Sequence, residues 1–409
     1  MMDLEGQLRH SIRADAHRPA GEVGDVESML GRVKTGARRR QRHRAIGGTV
    51  AVLAVVSGAA VIAQPGDLFP SHNVQVAGTP STSASHGTPT STSSTQGITG
   101  SLSRLQVLSV TATDPQTFWV LGSSGCGRPR CLTIDGTSDG GAGFTRLNAP
   151  SSEVGLPATG STVSALRFAS GGTNGWAFGG SLWATHDGGV GWAPVEFGAP
   201  RDRVVELEAW RTTAYAVLTH GDGTSQLLRA PIDSDHWTPV ATGLSLNDAA
   251  GGLAVSDTFV AFLARQGHRE VLASDVAGVW TAQHIPCPRG GPTISANRDS
   301  LWLLCSGSDP HAYTSPDGGA TWQPVAVTLS SADVVAARGP DRALVASAHE
   351  VEVLDGGSGQ VANLPSSAAA YAVYAGFTDD QTGYLILNDG SLLRTSNSGL
   401  AWAPVRLPH

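Results

Sequence analysis

Beyond residue 44 this 409-residue chain carries seventeen arginines and no lysine. A guanidinium grips carboxylates and phosphates through a planar fork of N–H donors, so capture of anions is the first chemistry to consider. Arg128, Arg130, Arg201, Arg203, Arg265, Arg269 and Arg289 all fall in polar breaks between short apolar runs, near His220, His268, His311, Asp222 and Asp309. Catalytic chemistry has weaker footing. No G-x-S-x-G, H-E-x-x-H or phosphate-cradling glycine loop occurs, and the thirteen histidines are scattered. Four cysteines, at Cys126, Cys131, Cys287 and Cys305, lack the paired CxxC-like spacing of a zinc site. Their even number suits two disulfides. The local pairs Cys126–Cys131 and Cys287–Cys305 are expected, and other connectivities stay open. No metal and no cofactor is expected.

Charge distribution sets the surroundings of these groups. Residues 1–44 hold ten Lys and Arg against six acids, about +4, and residues 45–409 hold seventeen Arg against twenty-eight acids, about −11. A nucleic-acid binder needs its basic excess on the folded part, so that class is not expected. The basic stretch ends at Arg38-Arg-Arg-Gln-Arg-His-Arg44, and Ile46 to Ala63 follow with eighteen residues free of charge. Such a length is near the minimum for crossing a hydrocarbon core of roughly 30 Å. The cationic flank places residues 1–44 in the cytoplasm as a basic tail. Residues 45–64 then form a transmembrane signal-anchor in the cell membrane, and residues 65–100 a linker rich in Ser, Thr, Gly and Pro, too polar to build a core. Cleavage after Ala63 is the rival reading of the apolar segment, against which the long basic lead weighs. Val26 to Lys34 could form a short amphipathic helix capped by Asp25, which would suit an outer sensor signalling through the tail.

The elements that must position the arginines lie in residues 101–409. The stretch Thr314-Ser-Pro-Asp-Gly-Gly-Ala-Thr-Trp322 recurs as Thr185-His-Asp-Gly-Gly-Val-Gly-Trp192, as Thr137-Ser-Asp-Gly-Gly-Ala-Gly-Phe144 and as Thr395-Ser-Asn-Ser-Gly-Leu-Ala-Trp402, with Asn397 in the acid slot. Weaker copies end at Trp237, at Trp280 after Asp275, and at Gln360 after Asp355. Aromatic slots at 144, 192, 237, 280, 322, 360 and 402 are 38 to 48 residues apart, a period that marks propeller blades. Between slots, short β-branched and aromatic runs alternate with turn residues, four runs per period. The expected fold is all-β, a seven-bladed β-propeller, folding as a monomer. In each turn Asp139, Asp187 or Asp317 should accept backbone N–H bonds and the hydroxyl two residues earlier. Glycine allows the left-handed backbone, and Phe144, Trp192, Trp322 or Trp402 packs over the blade edge.

The pattern S/T-x-D-x-G-x-x-W resembles the Asp-box, or BNR, repeat found in sialidases, photosystem-assembly-factor-like propellers and sortilin-type receptors. The resemblance covers 101–409. It implies a propeller fold, and for the sialidases a clamp of three arginines, a Tyr–Glu nucleophile pair and an Asp acid. The chain departs from that set. It has no Arg-Ile-Pro, its early arginines (Arg104, Arg128, Arg130, Arg146 and Arg167) lie in other settings, and no spacing pairs Tyr215, Tyr313, Tyr371, Tyr374 or Tyr384 with Glu350 or Glu352.

In a four-stranded blade the acidic turns share a face with the first hairpin loops. The second hairpin loops and inter-blade crossings form the other face, which therefore receives the seven arginines named at the outset. The expected function is a membrane-anchored, extracytoplasmic binding or scaffold propeller recognising a glycan, wall polymer or protein, without catalysis. A sialidase-like glycoside hydrolase is the alternative.

Overall fold

The computed structural model describes residues 105–408 except 125–130, 155–161, 198, 200, 250–251, 288–290, 299, 308, 330–331, 348–349 and 366–370. The tail, the apolar segment and the linker lie outside the described residues, as do Cys126, Arg128, Arg130 and Arg289. Every regular element described is a β-strand, and no described helix is long and apolar enough to cross a membrane.

The strands form antiparallel four-strand runs. Run I comprises Gln106–Ala112, Phe118–Ser124, Cys131–Thr137 and Thr145–Leu147. Run II covers 162–195, run III 203–239 and run IV 253–284. Runs V, VI and VII cover 292–324, 334–361 and 372–404 and are separate four-stranded sheets. Two short strands link neighbours. Glu153–Val154 joins runs I and II, and Leu246–Asn247 joins runs III and IV, giving two nine-stranded sheets.

Alternation along the first three strands of each run puts apolar side chains on both faces, and each face is covered by a neighbouring run. Trp119 and Ile134 of run I meet Phe168 and Ala177 of run II. The same arrangement joins II to III, III to IV, IV to V, V to VI and VI to VII. Run VII packs back on run I, with Tyr374, Tyr384 and Ile386 against Val107, Val110 and Phe118. Hydrogen bonds across this junction run from Val107 N to Gly390 O at 3.0 Å and from Arg394 Nη2 to Pro115 O at 2.8 Å. Fully burying one such Leu or Phe contributes roughly 1.5–3 kcal/mol, so stability resides between runs more than within them.

The recurrent turns behave as the sequence predicts in runs I, II, V and VII. Thr185 donates to Asp187 Oδ1 at 2.7 Å, Gly191 N–H donates to the same oxygen at 2.9 Å, and Gly189 N–H donates to Thr185 Oγ1 at 2.9 Å. Run I repeats the set at Thr137, Asp139 and Gly143, and run V at Ser315, Asp317 and Thr321. In run VII, Asn397 Oδ1 accepts from Thr395 and from Ala401 N–H at 2.8 and 2.9 Å. A glycine of each of the first two turns also donates to the first hairpin of its run, Gly140 to Gln116 O and Gly188 to Thr173 O. The two kinds of loop therefore share a face.

Aromatic slots pack against other rings, edge-on except for the tilted Trp280–Phe262 pair, and within one run except for Trp237 of run III, which meets Trp176 of run II. Phe144 meets Phe118, Trp192 meets Phe168, Trp237 meets Trp176, Trp280 meets Phe262 and Trp402 meets Phe377, with centroids 5.6–6.3 Å apart. Trp322 packs into the core between runs IV and V. The weak copies differ. Asp275 lies within the strand Arg269–Val276, opposite Trp280, and the chain turns instead at Ala277 and Gly278 with φ of 55° and 84°. Asp355 is paired with Ser358 across Gly356 and Gly357, and its main-chain carbonyl rather than its carboxylate accepts the Ser358 hydroxyl. A two-residue hairpin needs no carboxylate because two consecutive positive φ values already match the twist of the strands. Asp275 and Asp355, which the weaker copies place in the acid slot of the repeat, thus sit in two-residue hairpins rather than in the longer turn.

Cys287 and Cys305 are bonded to each other, tying the approach to run V to the end of its second strand. Cys131 is also disulfide-bonded.

Candidate functional site

The first hairpins of runs V, VI and VII open around a cavity of about 600 Å³. Its wall includes Arg298, Arg338 and Arg342, with Asp379 and Asp380, and the rings of Phe377 and, from run III, Trp210. The loop Arg338-Gly-Pro-Asp-Arg342 is fixed from beneath. Arg338 N–H and Gly339 N–H both donate to Arg342 O, and Gly339 O accepts Trp302 Nε1–H at 2.9 Å and the Ser300 hydroxyl at 3.3 Å.

The three guanidiniums stand in different surroundings. Arg342 is paired with Asp380 at 3.0 Å. Arg338 is 7% exposed, lies over the Phe377 ring at 5.5 Å and donates through Nη2 to Asp380 O at 3.3 Å. Its Nε and Nη1 have no hydrogen-bond partner among the described residues. Burial, followed by the charge of Arg342, pulls this guanidinium below its usual pKa, while Asp355 and Asp380 act the other way. Arg298 is exposed, and no ion pair engages it among the described residues. Asp379 is occupied with its own loop, its Oδ1 accepting Gln381 N–H and Thr382 N–H.

On the other face the structure gathers several of the arginines expected there. Arg203 begins its strand opposite Thr219, and Arg265 is paired across the ladder with Asn247 and Glu270. Arg269 is exposed at the same hairpin, and Arg201 lies against Gly221, whose added methyl would come 2.7 Å from Arg201 Cβ. Acids are interleaved with them. Asp202 pairs with His220 at 3.1 Å, and Arg265 approaches Glu270 and Asp248 at 3.7 and 3.9 Å. His268 is exposed, while His311 lies by Asp309 in the next hairpin loop. A second cavity, of about 460 Å³, opens at this face between runs II and III and is lined by Trp183, Phe197, Glu196 and Asp202. This rim therefore has mixed charge.

Between the faces, the inner strands of runs II, III and VII bury a charged group. Arg167 donates to Glu208 at 2.5 Å, and neither side chain is more than 4% exposed. Glu206, equally buried, has its pKa raised well above the ordinary carboxylate range by desolvation first and by the Glu208 charge second. Arg167 and a hydrogen bond to the Gly252 backbone offset this in part. Tyr374 is 2% exposed, and burial raises its phenol, which also senses Arg167 and Glu208. Burial likewise pushes the Tyr384 phenol up to about 12. Glu352 rises through burial and through Glu350, on a strand of run VI.

Sequence reasoning missed the cavity arginines. The signal was present: Arg338 and Arg342 bracket a single Gly-Pro-Asp turn, and Arg298 lies in an Asx turn in which Asn297 Oδ1 accepts Ser300 N–H. All three lie on the face of the acidic turns, which the sequence associated with structure alone.

No protein-family model and no curated protein matches the chain. Solved structures do. YCF48 bound to D1 peptide superposes with a TM-score of 0.52 at 17% identity, over 72% of this chain and 94% of that one. A structure from a study of two prolyl endopeptidases gives 0.54 at 13% identity, over 75% of this chain and 49% of that one. A Mycobacterium tuberculosis puromycin-hydrolyzing peptidase gives 0.51 at 12% identity, over 76% and 54%. The chain thus spans about half the length of those peptidases. At these identities the likeness shows the fold, which is a β-propeller.

Proposed function

We propose that this chain is a seven-bladed Asp-box propeller, held outside the cell membrane by a single span at 45–64, that recognises an anionic partner and does not transform it. Runs I to VII are the blades, residues 1–44 the cytoplasmic tail and residues 65–100 the stalk. The observation carrying this reading is the contrast in accessibility between cations and catalytic-type groups. Arg298 and the partly exposed Arg342 stand at an open cavity, and Arg201 and Arg269 are exposed on the opposite rim. By comparison, Arg167, Glu206, Glu208 and Tyr374 are sealed in the centre. A general acid or nucleophile must come within hydrogen-bond reach of the reacting atoms, and a sealed group does not. The YCF48 structure, with its bound peptide, is a precedent for a propeller that binds a polypeptide.

One observation favours the enzyme alternative. Tyr374 shares the buried centre with Arg167 and Glu208, the residue types that a sialidase-like reaction uses. Turnover of a fluorogenic sialoside by the full chain would convert the reading to that of a hydrolase. Crosslinking capture on intact cells tests the binding reading. A defined partner, lost at high salt, is the expected result. No partner, or protease protection of residues 101–409 in intact cells, removes it.

A further inference from the structure

We propose that the cavity on the face of the acidic turns is a carboxylate-binding site, in which Arg338 and Arg298 receive a single carboxylate whose apolar body lies against Phe377 and Trp210. The inference deepens the binding reading and rests on it only for the identity of the partner; the site itself stands on the cavity.

The chemistry follows from the count and state of the charges. Three guanidiniums and two carboxylates line the cavity. Asp380 is committed to Arg342, and one oxygen of Asp379 caps its own turn. The lining groups alone leave one excess positive charge, which matches a monoanion, while Asp341, outside the lining, also approaches Arg342 at 3.8 Å. A phosphate dianion would meet Asp379 and Asp380 with a second negative charge at short range, a like-charge contact that costs more as water is excluded. Arg338 supplies a second reason. A buried guanidinium with unmade hydrogen bonds is costly, and among the described residues no group satisfies its Nε and Nη1. A small rotation of the side chain over the Phe377 ring would present that edge to the cavity, where a carboxylate accepts two N–H bonds at once. Arg298, exposed at the mouth, is placed to steer the anion inward. A volume of about 600 Å³ falls in the usual range for small-ligand sites and exceeds the needs of an ion alone. Two aromatic rings in the wall account for the extra space by favouring a ligand with a flat or apolar body.

The test uses the full 409-residue chain in detergent, with benzoate, benzamide and inorganic phosphate as probes and tryptophan fluorescence as the readout, since Trp210 lines the cavity. The expected result is saturable quenching by benzoate, at least tenfold weaker with phosphate and absent with benzamide. Arg298→Glu changes an exposed residue and should fold normally while weakening benzoate tenfold or more. Arg338→Met should abolish the response, and Arg338→Lys should restore part of it. A short phenylalanine-terminated peptide, compared with its amide, separates the two sources of the group. Binding of the free acid alone assigns a chain terminus, and equal failure of both peptides assigns a free small acid. Absence of benzoate binding, or binding unchanged in Arg298→Glu, overturns the site. Intact partner capture by a variant that has lost benzoate leaves the partner reading standing and removes this cavity from its interface.

Discussion

Runs I, II, V and VII end their third strand in a longer turn locked by Asp or Asn, whereas runs IV and VI turn through a two-residue hairpin, and both kinds contain two consecutive residues of positive φ. Both devices reverse the chain and lead into a fourth strand. They differ in what they touch. In the locked turns a glycine is driven against the preceding run: Gly189 against Leu147, Gly319 against Leu272, and Gly399 against Leu344 and Val353. In the hairpins an added methyl at Gly278, Gly356 or Gly357 would meet nothing within 4 Å. The carboxylate and hydroxyl thus shape a longer loop that fastens one blade to the one before it, while the hairpins fasten nothing. The aromatic slot is separable from the acid, since Trp280 keeps its ring contact with Phe262 in a run whose turn has no acid lock.

The sharpest break in this comparison is expected at the aromatic slots. Trp402 is 6% exposed, packs on Phe377 and donates to Gly399 O within its own turn. Trp402→Ala should cost about 4 kcal/mol, the range for deleting a buried large ring. Trp280 is only half-buried, so Trp280→Ala should cost about 2 kcal/mol. Denaturant midpoints at constant m-value measure both, and equal losses would undo the distinction between locked and unlocked runs.

Next in size are the glycines. Gly319 has φ of 97°, and its added methyl would lie 2.2 Å from Leu272 Cδ2. Gly357 has φ of 86° with open space around it. Alanine at either position meets left-handed strain of about 1 kcal/mol. Only Gly319→Ala adds a clash in a packed interface, for a total of about 3 kcal/mol. A smaller effect is expected at the hydroxyls. Ser315, fully buried, donates to Asp317 and accepts Gly319 N–H at 2.7 Å, so Ser315→Ala should cost about 1–2 kcal/mol. Ser358→Ala in the exposed hairpin of run VI should be close to neutral. Thermal unfolding of the two variants side by side is sufficient, and a larger loss at Ser358 would count against the account.

These contrasts also mark what was readable beforehand. The all-β class and the four good turns follow from local chemistry, because a hydroxyl, a carboxylate or amide oxygen and a glycine within five residues nearly determine the loop they make. The weak copies misled because their letters match the repeat while their register does not: Asp275 is still in its strand, paired with Trp280, whereas Asp187 lies two residues beyond the end of its strand at Thr185. The cavity was harder to see. Arg298, Arg338 and Trp210 come from runs V, VI and III, and only closure of the sheets brings three separate first hairpins to one opening. Burial of Arg338 likewise depends on Phe377, some forty residues away in sequence. On the opposite rim the arginines fall together as their loop positions require, but the acids between them, Asp202, Asp248 and Glu270, change the meaning of the patch from a cationic surface to a mixed one.

The smallest expected effect is a pH dependence confined to the locked turns. Bonds from Gly143 N–H and from Thr137 hold Asp139 below the usual carboxylate value of 3.8, and bonds from Gly191 N–H and Thr185 do the same for Asp187. At Asp317 burial pushes upward, but bonds from Thr321 and Ser315 outweigh it. A carboxyl whose folded pKa is depressed contributes stability that is present above its unfolded value and is lost as pH falls through the folded one. The locked turns of runs I, II and V should therefore weaken below about pH 4, while the turn of run VII, with Asn397 making the same two bonds as a neutral amide, should not. Asp187→Asn should leave stability at pH 7 nearly unchanged and flatten the acid limb of the stability curve. Asn397→Asp should steepen it. Denaturant titrations between pH 2.5 and 7 distinguish these outcomes, and an acid limb insensitive to both Asp187→Asn and Asn397→Asp would show that the carboxylates of these turns are not held by their hydrogen bonds.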